Sequence, residues 1–309
     1  MRKLLTLFLL VFLCIATGCS SIGKSGSISN HFYKTTDVAG NELVLEKKPE
    51  RIIILAPSFL NIMHAVGGDF IAWANSPSEP PPAYAKNKKT VGYTYQVNVE
   101  EIISEKPDLV IGLNGLHNRL TEVMKQNGIP FLLLSASSVD DVKHAARVLG
   151  DVTGRHKEGL SAANKLQDEI DRVVQNYPRN DYTCAILHGT PHAVTLEGKG
   201  TIATETAALL HIRNVFVQEN DHDMKLPPFS LETLVSKDPD IIFLTTMVMP
   251  GQQQEAFRNS LLSQPAWAKM RAVKEGHVYF LPQNLFLSSP GMDYPKALSY
   301  MAHLVYGEK

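Results

Sequence analysis

One segment of this chain occurs twice, and the repeat constrains the fold more than any other feature. Val99-Glu100-Glu101-Ile102-Ile103-Ser104-Glu105-Lys106-Pro107-Asp108-Leu109 aligns with Leu231-Glu232-Thr233-Leu234-Val235-Ser236-Lys237-Asp238-Pro239-Asp240-Ile241. In each copy a polar residue, Asn98 or Ser230, is placed to cap a helix, and Glu100 or Glu232 sits in its first turn against the helix dipole. Apolar pairs bury one face, and Pro107 or Pro239 forbids further helix before a strand begins. A single helix–Pro–Asp–strand connection says little. Two copies in two halves argue for duplicated architecture.

Continuous apolar runs surround both copies. Arg51–Ala56, Asp108–Leu113 and Phe131–Ser135 read as strands in the first half, and Tyr182–His188, Asp240–Met247 and His277–Leu281 in the second. Helical patterns lie between them: from Pro57 and Ser58 to about Val66, from Asn98, from His117 and from Ser138, then near Ile202–Leu210, Leu231–Val235, Gln252–Leu262 and Tyr294–Tyr306. A hairpin-like turn at Ala39-Gly40-Asn41 precedes the first strong strand. Strands apolar on both faces and alternating with helices indicate parallel-rich sheets covered on two sides, an α/β class. Between the halves, Leu160, Ala163, Leu166, Ile170, Val173 and Tyr177 mark one face of a long helix from Lys157 to Tyr177, stopped by Pro178. The expected organisation is a lobe over residues 36–154, a linking helix over 155–179 and a second lobe over 180–309. A single helix as the only link makes a stiff hinge.

The N-terminus carries an address. Arg2 and Lys3 precede an uncharged apolar run from Leu4 to Ala16, too short to span a bilayer comfortably. Small residues Ala16, Thr17 and Gly18 then lead to Cys19, an arrangement that resembles the bacterial lipobox. That resemblance implies a signal peptide over residues 1–18, removed as Cys19 is diacylated, and anchoring on the outer face of the cell membrane. Residues 19–35, rich in Ser and Gly at their start, then form a flexible tether.

Composition excludes some classes. The formal net charge is −1, and no basic cluster marks a nucleic-acid surface. Of the three cysteines, Cys14 leaves with the leader and Cys19 takes lipid. Cys184 lies in an apolar strand and reads as a small buried hydrophobe. Trp73 and Trp267 read as core aromatics, and His211, His222 and His303 as structural.

The leader, the two αβ lobes and the linking helix together resemble the helical-backbone class of ABC-transporter substrate-binding proteins. Val97-Asn98-Val99-Glu100-Glu101-Ile102-Ile103-Ser104-Glu105-Lys106-Pro107-Asp108-Leu109-Val110-Ile111 is similar to the branch that binds iron-siderophores, haem and cobalamin. So is Pro265-Ala266-Trp267-Ala268-Lys269-Met270-Arg271-Ala272-Val273-Lys274-Glu275-Gly276-His277-Val278-Tyr279-Phe280-Leu281-Pro282. The resemblance covers residues 36 to 307. It implies the class III periplasmic-binding-protein fold, two αβα lobes joined by one backbone helix. It also implies a ligand cleft between the lobes, and delivery by a monomer to a membrane permease driven by a cytoplasmic ATPase.

Open α/β sheets bind ligands at the C-terminal ends of their strands. By that rule the first wall takes Pro57, Ser58, Phe59, Tyr93, Tyr95, Asn114 and His117, and the second takes His188, His192, Met247, Met249 and Phe286. Aromatic, Met and His side chains suit a flat or greasy metal complex with a few polar anchors. Some haem-binding relatives present a methionine in the segment matching Val91-Gly92-Tyr93-Thr94-Tyr95 and a histidine at the place of Met247. This chain departs from them at both. Tyrosinate can ligate ferric haem, so Tyr95, Met247 and His188 are the candidate donors to a bound iron complex. Haem or another iron tetrapyrrole is favoured over a ferric siderophore, with cobalamin as a further alternative.

Other classes leave weaker marks. A site for free zinc or manganese needs three or four converging ligands, and the histidines are scattered. For an exported enzyme, neither a G-x-S-x-G elbow nor an H-E-x-x-H helix occurs, and Gly198-Lys199-Gly200-Thr201-Ile202-Ala203 only partly mimics a dinucleotide loop. A structural or adhesive lipoprotein is the remaining class. For permease docking, the family presents a glutamate from each lobe. Glu255 fits on the second; on the first the matching position holds Asn118, leaving Glu122 as the substitute. The expected mechanism is capture without chemistry, with a small lobe rotation.

Overall fold

Strands with no polar face need cover on both sides, and the chain meets that need with two sheets and three apolar cores. The computed structural model describes residues 31–76, 80–190, 193–217, 226–246, 257–259, 261, 263–288 and 290–307. From Phe32 onward these form one compact unit. An antiparallel hairpin, β1 (Tyr33–Thr36) and β2 (Glu42–Leu45), leads in. The first sheet holds β3 (Ile52–Ile54), β4 (Ala72–Asn75), β5 (Lys89–Tyr93), β6 (Gln96–Val97), β7 (Leu109–Leu113) and β8 (Phe131–Leu134). Its order is β6-β5-β4-β3-β7-β8, parallel except for the β5–β6 pair. The second holds β9 (Thr183–Gly189), β10 (Val194–Leu196), β11 (Arg213–Asn214), β12 (Ile241–Thr246) and β13 (Val278–Phe280). Here the order is β10-β9-β12-β13, with β11 beside the start of β9 and only β10 antiparallel.

The first half carries helices α1 (Pro57–Ala65), α2 (Val99–Ser104), α3 (Thr121–Gln126), α4 (Val139–Val152) and α5 (His156–Gln175). The second carries α6 (Ile202–Leu209), α7 (Leu231–Lys237), α8 (Arg271–Lys274), α9 (Gln283–Phe286) and α10 (Tyr294–Tyr306). Most of the helix expected over Gln252–Leu262 lies outside the described residues. No helix among the described residues is long and apolar enough to cross a membrane.

Alternation along each strand sorts the side chains into the cores. Ile52 and Ile54, Leu109 and Ile111, Leu132 and Leu134 share one cluster with Cys184, Ile186, Ile241 and Phe243 of the second sheet. Helices α1, α4, α5, α6 and α10 fill that shared cluster. The intervening residues face outward: Ile53, Val110 and Leu133 pack with Ile102 and Met124, and Ala185, Leu187, Ile242 and Leu244 pack with Leu234 and the core aromatic Trp267. Each sheet is therefore wrapped, and the inner core runs on from one to the other.

The repeat extends to backbone conformation and hydrogen bonding. Asn98 Oδ1 accepts from Glu101 N at 3.2 Å and Ser230 Oγ from Thr233 N at 3.3 Å, capping α2 and α7. Lys106 and Asp238 both take positive φ, 48° and 37°, so that the chain reverses into the strand. Asp108 then accepts from the backbone N–H groups of Glu50 and Arg51 at 2.8 and 2.7 Å. Asp240 accepts from Thr183 N and Oγ1 at 2.8 and 2.7 Å. Arg51–Asp108 and Thr183–Asp240 are each 57 residues apart.

Two details differ from the periodicity. In α5 the buried face is Gly159, Ala162, Ala163, Leu166 and Ile170, while Leu160 is 38% exposed. Small residues at the contact let α4 and α5 pack closely, which turns the face away from Leu160. The long helix is also not the only tie between the halves. Asn61 of α1 donates from Nδ2 to Pro290 O at 2.9 Å and accepts from Met292 N at 3.1 Å, and Tyr294 OH donates to Ser137 O at 3.2 Å.

Candidate functional site

The C-terminal ends of the two sheets enclose a cleft of about 420 Å³, a size suited to a small molecule. Tyr95 and Ser137 come from the first sheet's side; His188, Thr195, Glu197, Gly200, Thr201, Ile202, Phe286 and Leu287 come from the second. A hollow of about 500 Å³ elsewhere, lined by Gln167, Ile170, Arg179 and Glu205 among others, sits against the flanks of α4, α5 and α6. It meets no strand end, so the first cleft is the candidate.

Tyr95 owes its position to a tight turn. Gly92 has φ +94°, and a Cβ there would lie 2.7 Å from Gln96 O and 2.9 Å from Asn98 N. Only glycine lets β5 fold back into β6 at that distance. His117 bolts the turn down from behind. It is fully buried; its Nδ1 accepts from Leu113 N at 2.9 Å and its Nε2 lies 2.9 Å from Thr94 O. A carbonyl can only accept, so Nε2 carries the proton. Burial holds the His117 pKa below its ordinary value, the Arg119 charge adds to that, and the Thr94 bond only partly opposes it. Arg119 Nη2 also donates to Tyr95 O at 3.1 Å. The Tyr95 ring itself is 45% exposed, and partial burial pushes its phenol above the ordinary value.

The opposite wall is a row of polar side chains at the ends of β9, β10 and β12. His188 and Thr245 are paired across β9 and β12, and His188 Nδ1 lies 2.9 Å from Thr245 Oγ1. Thr245 Oγ1 donates in turn to Glu197 Oε1. Glu197 follows β10, is only 7% exposed, and its Oε2 accepts no hydrogen bond among the described residues. Burial pushes the Glu197 carboxyl up; the Thr245 and Thr201 hydroxyls and the His188 ring partly offset it. Thr201 caps α6, and its Oγ1 also lies 3.1 Å from Gly198 O and from Thr204 Oγ1.

Of the expected wall residues, Tyr95, His188 and Phe286 come together in the cleft. Phe59 does not: it is fully buried in the shared core, because α1 turns that face toward α4 and α5. His117 is likewise corrected from wall to support, both of its ring nitrogens being spent on backbone. Ser58 is buried beneath Gly291, and Pro57 is half-buried. Tyr93 is 52% exposed outside the cleft lining. Asn114 stands at the end of β7, where its Oδ1 accepts from Asn118 Nδ2 at 3.0 Å. Cys19, His192, Met247, Met249 and Glu255 lie outside the described residues. Glu122 is exposed in the first turn of α3. Sequence periodicity missed Ser137, Thr195, Glu197, Thr201 and Thr245. Of these, Glu197 left a signal, a lone acid beside an apolar strand.

Among the described residues no group of three His, Cys, Asp or Glu side chains is placed to hold a bare metal ion. The described cleft offers one imidazole and one phenol from opposite walls, with apolar Phe286, Leu287 and Ile202 between polar anchors.

Comparison with known proteins places this architecture. The sequence matches the family model described as "Periplasmic binding protein" over residues 52–285. An ABC transporter substrate-binding lipoprotein of Bacillus subtilis, YvrC, is 23% identical over 262 residues, covering 82% of this chain and 79% of the relative. An ABC transporter substrate-binding protein from Listeria monocytogenes superposes with a TM-score of 0.76 at 24% identity, over 85% of this chain and all of that one. The S. aureus protein IsdE complexed with haem superposes with a TM-score of 0.73 at 19% identity, over 83% and 98% of the two chains. The structural likenesses carry the fold, and the family match spans both sheets and the helix between them: this chain belongs to the periplasmic binding protein family.

Proposed function

We propose that this chain is the substrate-binding component of an ABC importer, held by lipid on Cys19 at the extracytoplasmic face of the cell membrane, and that it captures an iron tetrapyrrole. The observation that carries the cargo is that the Tyr95 phenol, from the first sheet, and the His188 imidazole, from the second, line one cleft. Phenolate and imidazole are both donors that ferric haem accepts, and Phe286, Leu287 and Ile202 offer apolar contact to a flat ring. The relative's name as a substrate-binding lipoprotein supports the location and the importer. The haem named for the S. aureus structure supports the cargo. No bond is made or broken in the protein: the cargo is immobilised, carried to a permease and released there at the expense of a cytoplasmic ATPase.

The test is an absorbance titration of the full chain in mild detergent with haemin, a ferric siderophore and cobalamin. Haemin is expected to give a Soret shift at one equivalent, and Tyr95→Phe and His188→Ala to weaken it by about tenfold or more each. Tight binding of cobalamin or of the siderophore with no haemin shift overturns the iron tetrapyrrole and keeps the importer. For docking, Glu255 and the exposed Glu122 are the proposed contacts with basic permease residues. Charge reversal at Glu122 or Glu255 should leave haemin binding intact and reduce uptake into cells; normal uptake removes that residue from the docking surface.

A further inference from the structure

The chain from His188 through Thr245 to Glu197 has a direction, and the direction fixes a tautomer. Where Glu197 is ionised it can only accept, and Thr245 Oγ1 has one proton, which goes to Glu197 Oε1. The threonine oxygen is then left as an acceptor toward His188 Nδ1, 2.9 Å away. In the neutral ring Nδ1 therefore carries the proton, and Nε2 keeps its lone pair. Among the described residues Nε2 makes no hydrogen bond, and the ring is 20% exposed on the cleft wall.

Among the described residues one oxygen of Glu197 is buried with no hydrogen bond within reach, which costs a folded protein free energy. An apolar side chain of the same size would serve packing better. Glu197 lines the cleft itself and also reaches His188 through Thr245, fully buried at the end of β12.

We propose that Glu197 and Thr245 are positioning residues that hold His188 as its Nδ1–H tautomer, so that Nε2 meets the cargo as a lone-pair donor. The wall then selects a ligand with an electron-accepting centre, a metal with an open coordination position, over one that offers only hydrogen-bond acceptors. This selectivity rests on the reading of the cargo given above; the tautomer does not.

The experiment separates the two. The full chain is labelled with 15N-histidine and its ring nitrogens are read by long-range proton–nitrogen correlation without ligand, with His188→Asn to assign the signal. Wild-type His188 is expected to show a protonated Nδ1 and an unprotonated Nε2. In Glu197→Leu the Thr245 proton turns to Nδ1 and the ring becomes the Nε2–H tautomer, with no loss of thermal stability. Thr245→Ser keeps the wild-type pattern, and Thr245→Val abolishes it. Haemin affinity should fall about tenfold or more in Glu197→Leu and Thr245→Val and stay unchanged in Thr245→Ser. An Nε2–H ring in the wild type, or an unchanged tautomer in Glu197→Leu, overturns the proposal. The expected tautomers with no haemin binding in any variant uphold the relay and overturn the cargo.

Discussion

His117 is a histidine whose two ring nitrogens are both spent on backbone, one on Leu113 N and one on Thr94 O. It therefore shapes the cleft without touching it, because Thr94 is the neighbour of Tyr95. Removing it should leave two buried polar groups unpaired. His117→Phe is expected to cost about 2–3 kcal/mol in urea unfolding at neutral pH and to weaken haemin binding through a displaced Tyr95. The linkage has a definite sign. Burial lowers the folded pKa below the ordinary 6.5, so the unfolded chain takes up a proton first as the pH falls. The contribution of His117 is complete above the ordinary value and is lost as the pH drops through the folded one. Wild-type stability should accordingly fall more steeply than that of His117→Phe below pH 6.5; parallel curves would sink this assignment.

At the scale of elements, the repeated unit is a device for starting a buried strand. A proline ends the helix, a positive-φ residue reverses the chain, and an aspartate ties the new strand to the start of its neighbour. The two copies should fail alike. Asp108→Ala and Asp240→Ala are each expected to cost about 1–2 kcal/mol by denaturant unfolding, and the double variant the sum, since the sites share no partner. Partial burial pushes the Asp240 carboxyl up, but the Thr183 hydrogen bonds and the Arg271 charge outweigh it and hold it below the ordinary 3.8. Its stabilisation is present above that value and disappears as the pH falls through the lower folded one. The caps and the proline of this unit were legible in the sequence because they act locally; the reversal at Lys106 and Asp238 and the aspartate ties across 57 residues were not. The short strands β4, β5, β6, β10 and β11 were not. Their residues, such as Lys89-Thr90 and Arg213-Asn214, have little strand pattern and pair only because neighbouring strands hold their edges.

For the whole molecule, the inner core continues from sheet to sheet and the chain returns to α1 near its C-terminal end. Gly291 fits against that helix with φ +54°, and a Cβ there would lie 2.3 Å from Asn61 Oδ1 and 2.6 Å from Ser58 O. Gly291→Ala should therefore pry the return segment away, costing about 1–3 kcal/mol. In solution scattering, wild type is expected to change its radius of gyration little on haemin binding, and Gly291→Ala to compact measurably more. A large compaction in wild type would show that the second tie does not restrain the lobes.

The sequence by itself determined the class of fold, the duplicated halves, the long helix between them and the burial of Cys184, Trp73 and Trp267. These follow from periodicity and caps, which are properties of neighbouring residues. Tertiary structure alone decided which further polar residues join Tyr95 and His188 at the cleft. Glu197, Thr245 and His188 are up to 57 residues apart and meet because β9 and β12 end side by side and β10 runs back antiparallel along β9 from that end. His117 and Phe59, placed on the wall by their position after a strand, were turned inward by packing that no local pattern records.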